Sequence, residues 1–438
     1  MEKDVFVKDR NGNDKFEAFE LVKIMENDVH LLDSDFKKRF QLTCGAGVRI
    51  QGKLDLKRLE KVIANAYKDV DSMRAVLHMD FDNSYFRILE EYEYTLNTVI
   101  PEGETADERF ENAKKEVSKD IFSREFYAKC ACPILLYKLD ENDYFLVVAI
   151  DHGMGDGQCL LLVLKKLILD YIGLPGGGKI NKKGLYDFYQ FYQEFKNNGM
   201  MAANTEYWKK LAEGTENLYH FNAPLDDNEV SEDDKIVKVS LKELKQAAKN
   251  YKTTVPNLVI AIYQAAIAKV YGLKESAITC VSANRSVPDF FDTVALQLDL
   301  MLLRNSVPDD ETEVKAFLKE SLKTTATGMQ HTPSFYSQIP ISRFLFSYAQ
   351  DLMKGMNPAA IPGFDVTTWM APSIPEHALD TNYIFLVAFE QGGDLEMHFA
   401  FDKTIYNKND FINMRDNMVE MFSLLAGKKD LKMVELMR

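Results

Sequence analysis

The run from Tyr144 to Gly173, YFLVVAIDHGMGDGQCLLLVLKKLILDYIG, restricts the possible folds more than any other stretch of this chain. Its opening segment, Tyr144 to Ile150, is apolar without alternation, which predicts a strand covered on both faces and therefore central in a sheet. The segment from Gln158 onward has helical length and stops at Gly173, with Pro175 just beyond, as helices commonly do. Between the two, Asp151, His152 and Asp156 are spaced by glycines 153, 155 and 157. A strand end, a glycine-bent corner and a helix start together make a rigid support on which a reactive side chain can stand exposed.

The surroundings predict a mixed α/β (α+β) fold. PILLYKL and the central strand flank a short turn, Asp140 to Asp143, and read as a hairpin. GKLDLKRLEKVIANAYKDV places Leu56, Leu59, Val62, Ile63, Ala66, Tyr67 and Val70 on one helical face with Asp55 as cap. TADERFENAKKEVSKDIF opens with Thr105 and Glu108 at capping-box spacing. Later, VSLKELKQAAKNYK and TVPNLVIAIYQAAIAKVYG read as helices, SAITCVSA and LQLDLMLL as strands, and the Gly392-Gly393 turn joins a strand pair before a closing helix, FINMRDNMVEMFSLLAG. At 438 residues the chain exceeds what one core usually fills, so two lobes are expected. The loops IGLPGGGKINKKG and APLDDNEVSEDDK place an N-terminal lobe at 1–178, a bridging segment at 179–235 and a C-terminal lobe at 236–438.

Charge and cysteine usage exclude several classes. A net charge of -14 opposes a broad nucleic-acid footprint, which needs clustered Lys and Arg. Cys44, Cys130, Cys132, Cys159 and Cys280 form no CxxC pair and no zinc pattern, and free thiols fit a reducing cytoplasm. The charged N-terminus lacks the apolar core of a signal peptide, and Lys165, Lys166, Gln264 and Lys269 interrupt the longest apolar runs, so neither export nor a membrane span is predicted.

The glycines of the motif invite a phosphate-loop reading, but Asp151 and Asp156 would place negative charge beside the anion. GLPGGGK, Gly173 to Lys179, satisfies GxxxxGK yet follows a helix rather than a strand, and Ile180 replaces the magnesium-binding Ser or Thr. A metal held by His152 with Asp151 or Asp156 lacks a third ligand, so no metal is expected.

DHGMGDG resembles the HHxxxDG signature of the chloramphenicol-acetyltransferase-like acyltransferases, and its setting is most similar to a stand-alone condensation domain of nonribosomal peptide synthetases or an alcohol acyltransferase-like relative. The likeness continues through the helix leading to Met73 and Arg74, through TEYWKKLAEG with Tyr207 and Trp208, and through VSANRSVPDFFDTVALQLDLMLLR with Arg285, Leu303 and Arg304. It implies two chloramphenicol-acetyltransferase-like lobes, each a mixed sheet flanked by helices, arranged as a V with His152 at the base of a central channel.

The resemblance further implies acyl transfer from a carrier-protein or coenzyme A thioester to an amine or hydroxyl acceptor, forming an amide or ester. His152 acts as general base without a covalent acyl-enzyme, and no cofactor is bound. Asp156 turns away from substrate to pair with an arginine, Arg74 or Arg285, of which Arg74 is preferred. Asp151 stands where the family has its first, supportive histidine, and Cys159 where a serine is common. Amides from Gly155 to Gly157 near the helix start are candidates for holding the oxyanion. The likeness carries no adenylation or carrier domain, so the donor is expected in trans, with Lys179, Lys182 and Lys183 as the cationic loop that receives it. Tyr207 and Trp208 read as packing aromatics, and His331, His377 and His398 as isolated histidines. A non-catalytic docking relative and an epimerase are the alternatives.

Overall fold

The structure, a computed structural model, describes residues 8, 11–19, 43–78, 84–121, 132–174, 180, 182–231, 233–335, 338–349, 363–370 and 383–438. Contacts divide the chain into two compact units. One comprises Met1–Met200, Arg285–Leu298 and Leu352–Pro375, and the other Met201–Asn284, Asp299–Asp351 and Glu376–Arg438. The units are interleaved in sequence, unlike the three consecutive blocks cut at 178/179 and 235/236. Gly-rich and charged loops mark where the chain is solvated, whereas unit membership depends on where distant segments return.

In the first unit, β1 (Phe16–Glu17), β3 (Ala75–His78) and β4 (Tyr85–Ile88) form a small sheet in the order β1-β4-β3. The main sheet contains β2 (Thr43–Gln51), β5 (Thr98–Val99), β6 (Ile134–Asp140), β7 (Asp143–Asp151) and the late strand β12 (Asp365–Met370), in the order β12-β2-β7-β6-β5. The central strand is β7, antiparallel to β2 on one side and β6 on the other, and all its residues are buried. Unbroken hydrophobicity demanded this position, since each fully buried Val, Leu or Ile contributes about 1.5–3 kcal/mol that an edge position would forfeit.

Helix α1 (Leu56–Asp69) buries Leu59, Val62, Ile63, Ala66 and Tyr67, and Asp55 Oδ1 accepts its Arg58 N–H at 3.1 Å. Helix α2 (Ala106–Ile121) begins with the reciprocal bonds its sequence predicts: Glu108 N donates to Thr105 Oγ1 and Thr105 N to Glu108 Oε2. Helix α3 (Gly157–Ile172) follows β7 after a short turn and ends at Gly173, whose φ of 73° is the left-handed conformation glycine adopts without penalty. It packs on α1 beside the main sheet, with Val163, Leu164 and Leu167 in the shared core. Helix α4 (Leu185–Asn197) lies beyond it in the chain.

The second unit begins at Met201, within α5 (Met200–Ala212), and holds a six-stranded sheet. Its strands are β8 (Ile236–Ser240), β9 (Glu275–Ser282), β10 (Asp299–Ser306), β11 (Phe344–Ala349), β13 (Ile384–Gln391) and β14 (Asp394–Phe401), ordered β10-β9-β11-β13-β14-β8. Pairing is antiparallel except where β11 lies parallel to β9 and β13. Gly392 and Gly393, both at positive φ, make the β13–β14 turn. Helices α6 (Leu241–Tyr251) and α7 (Val255–Tyr271) precede β9, and α7 is buried from Val255 to Ala268 apart from Pro256. Among the described residues no single helix is long and apolar enough to cross a membrane.

Candidate functional site

The corner after β7 is closed by its own backbone. The Asp151 carbonyl accepts from Met154 N at 2.9 Å and Gly155 N at 3.1 Å, while Asp151 Oδ1 accepts from Gly153 N at 2.8 Å. A Cβ at Gly155 would stand 2.3 Å from Ile150 Cδ1 and 3.2 Å from Cys159 Sγ, so any larger residue there must displace these side chains. The corner holds half-buried His152 with its Nδ1 2.9 Å from Gly155 O. A carbonyl oxygen only accepts, so Nδ1 carries a proton, and in the neutral form of the ring the lone pair is on Nε2. Burial raises the Asp151 carboxyl to about 6, opposed by the Gly153 amide and by His152.

Asp156 caps α3, its Oδ1 accepting from Cys159 N at 3.1 Å. The same carboxylate meets Arg285 Nη2 at 2.9 and 3.2 Å and Gln297 N at 3.3 Å. Both side chains of this ion pair are 5% exposed. Burial works against the Arg285 charge, but Asp156 and the neighbouring Cys159 outweigh it and raise the guanidinium further. Arg285 Nη1 also donates to Thr293 O at 2.7 Å and Phe291 O at 3.3 Å, so the guanidinium organises the 285–298 segment as well.

Several expectations require correction. Arg74 does not pair with Asp156: its guanidinium donates to Leu89 O at 2.9 Å, to Lys68 O at 3.0 Å and to Tyr67 O. It satisfies carbonyls at the end of α1, a task that helix C-termini commonly give to arginine. The Gly155 amide is engaged by the Asp151 carbonyl and does not offer itself to an oxyanion. Gly157 differs: it is the first residue of α3, so its N–H has no intrahelical acceptor, and the space beside its Cα is open.

Of the proposed cationic loop, Lys179 lies outside the described residues and Lys182 is exposed. Lys183 is not a free cation but pairs with Asp289 at 2.7 Å, and its carbonyl accepts from Thr293 Oγ1. His331 is not isolated: its ring stacks on Tyr207 at 3.6 Å between centroids, and its carbonyl accepts from Trp208 Nε1 at 2.8 Å. His398 Nε2 lies 3.5 Å from Glu396 Oε2, and His377 is outside the described residues. Arg304 pairs with Glu275 and donates to Leu211 O and Glu213 O, closing the end of α5. A small apolar crevice, lined by Leu54, Leu146, Tyr171 and Phe364 among others, opens near the start of β7, roughly 17 Å along the strand from Asp151.

The family match spans residues 43–436 and is to the Condensation domain. The chain belongs to the condensation-domain family. Membership implies acyltransferase-type chemistry, and the solved condensation domains share its fold of two chloramphenicol-acetyltransferase-like lobes. The condensation domain of the monacolin K polyketide synthase MokA superposes with a TM-score of 0.76 at 12% identity, covering 96% of this chain and 99% of that one. The starter condensation domain of rhizomide synthetase RzmA, solved with C8-CoA, gives 0.73 at 10% identity and covers 96% of each chain. In sequence, bacitracin synthase 1 of Bacillus licheniformis is 20% identical over 408 residues and tyrocidine synthase 2 of Brevibacillus parabrevis 21% over 416. These alignments take in 87% and 88% of this chain but only 7% and 11% of the synthetases. Within this condensation fold, the residues that sequence reasoning missed are Ala295 and Gln297, whose backbone groups meet Cys159 and Asp156. No side-chain chemistry announces them.

Proposed function

We propose that this chain transfers an acyl group from a carrier-protein or coenzyme A thioester to the amine or hydroxyl of a small acceptor, with His152 as general base. The observation that carries the reading is the 2.9 Å contact of His152 Nδ1 with Gly155 O, which leaves Nε2 as the basic atom. The acceptor N–H or O–H gives its proton to Nε2 as the new bond forms at the thioester carbonyl. The resulting oxyanion is stabilised by the amide of Gly157 at the start of α3. Collapse breaks the C–S bond, and the imidazolium returns the proton to the departing thiolate. Asp156 and Arg285 stay out of the chemistry and hold the corner in place.

Incubation with a panel of acyl-coenzyme A and acyl-carrier thioesters, read by release of free thiol, tests the reading. His152→Ala should fold normally and lose on the order of 10²–10⁴ in rate. Unaltered turnover in that variant removes the base assignment. Asp151 in the first-histidine position motivates the second reading, a non-catalytic docking protein. That reading gains if no thioester and acceptor pair supports thiol release above a blank.

A further inference from the structure

The Gly155–Asp156 peptide is bonded at both ends. Its carbonyl accepts from His152 Nδ1 at 2.9 Å, and its N–H donates to Cys159 Sγ at 3.4 Å. A peptide unit is planar, so whatever orients one end orients the other. Cys159 Sγ in turn lies 3.2 Å from Ala295 O, 3.4 Å from Asp156 Oδ1 and 3.3 Å from Arg285 Nη2. The side chain is fully buried, and burial, with Asp156 adding to it, pushes the thiol up to about 12. The sulfur therefore keeps its proton at neutral pH and acts as a donor. Both acceptors also receive Arg285 Nη2, but Ala295 O is the nearer one and Asp156 Oδ1 is further engaged by Cys159 N, so the S–H is assigned to Ala295 O.

Every donor in this series runs the same way. His152 Nδ1–H gives to Gly155 O, the N–H of the same peptide gives to Cys159 Sγ, and Cys159 S–H gives to Ala295 O. Hydrogen bonds in such a row polarise one another inside a low-dielectric interior. We infer that Cys159 is a positioning residue for the reaction proposed above, linking His152 through one peptide plane to the Ala295 carbonyl and so selecting the Nδ1-protonated tautomer of the neutral ring. The thiol fills the orienting role that a carboxylate plays behind a catalytic histidine in other enzymes, but acts at one remove. It rests on the reading of His152 as base for its kinetic consequence, though not for its geometry.

Three variants separate the hydrogen bond from the volume. Cys159→Val keeps the bulk and removes both donor and acceptor, Cys159→Ala removes bulk as well, and Cys159→Ser restores a donor and acceptor on a shorter bond. With native-like thermal unfolding, Cys159→Val and Cys159→Ala should lose about tenfold in kcat at unchanged KM, the worth of one hydrogen bond, and Cys159→Ser should recover most of it. Nitrogen-15 resonances of the His152 ring read the same relay without turnover: one tautomer, protonated at Nδ1, in the wild type and Cys159→Ser, and a mixture in Cys159→Val. Wild-type kcat and a single tautomer in Cys159→Val overturn the inference, as does a Ser variant no better than Val. If His152→Ala retains activity, the base reading falls while the tautomer comparison still decides the relay.

Discussion

Asp156 and Arg285 show how a single pairing is hidden from a sequence. The motif names the carboxylate, and the likeness offers two arginines, but 129 residues separate the true partners and nothing local reports their meeting. Arg74 is nearer in the chain and sits on the segment the family shares, yet it is needed by the carbonyls at the end of α1. His152 and Asp156 were legible because strand, glycine corner and helix start are consecutive in the chain. The direction of each amide was not, which is why Gly155 reads as a donor to substrate until its bond to Asp151 is seen. Removing one side of the buried ion pair strands the other charge, so Asp156→Ala and Arg285→Ala should each lower stability by roughly 3–5 kcal/mol in denaturant titration. Arg74→Ala should leave the Asp156 contacts intact, and equal loss of activity in Arg74→Ala and Arg285→Ala would contradict the division of labour.

Elements were easier to read than contacts. The α1 face, the Thr105–Glu108 box of α2 and the Gly173 stop of α3 all follow from residues within a few positions of one another, and each is present. Lys166 departs from this pattern. In the sequence it interrupts an apolar run, yet only 1% of its side chain is exposed. Its ammonium lies 2.9 Å from both Asp69, at the end of α1, and Asp170 on α3. Burial alone would lower its affinity for the proton, and the two carboxylates reverse that and raise it. The ammonium, shared between a carboxylate of α1 and one of α3, joins the two helices. Lys166→Ala, which removes both stem and charge, should unfold at lower temperature than Lys166→Met, which keeps the stem.

At the scale of the molecule, fold class and the presence of two lobes were legible, whereas the interleaving was not. Strand β12 pairs with β2 from Asp365–Gln51 to Met370–Ala46, and no periodicity in either segment signals that register. Each unit also carries a buried acid: Asp151 in the first and Asp299 in the second, which burial raises to about 8 against the amides of Leu300 and Ser334. Between about pH 4 and these raised values the folded chain retains protons that the unfolded chain has lost. Stability therefore falls as pH rises, up to about 6 through Asp151 and about 8 through Asp299, and levels off beyond. Thermal unfolding of the wild type should decline across that window, and the double variant Asp151→Asn with Asp299→Asn should decline less. Parallel curves for the two proteins would show that other groups set the dependence.

The interleaved first unit has a consequence for synthesis. Asp156 leaves the ribosome 129 residues before Arg285, a wait on the order of ten seconds at ordinary elongation rates. The edge strand β12 arrives later still. During that interval the corner after β7 has its histidine and its cap but no guanidinium, and the sheet that supports it has an open edge beside β2. The nascent chain is thus most vulnerable while the second unit is being translated, since the last parts of the first are encoded inside it.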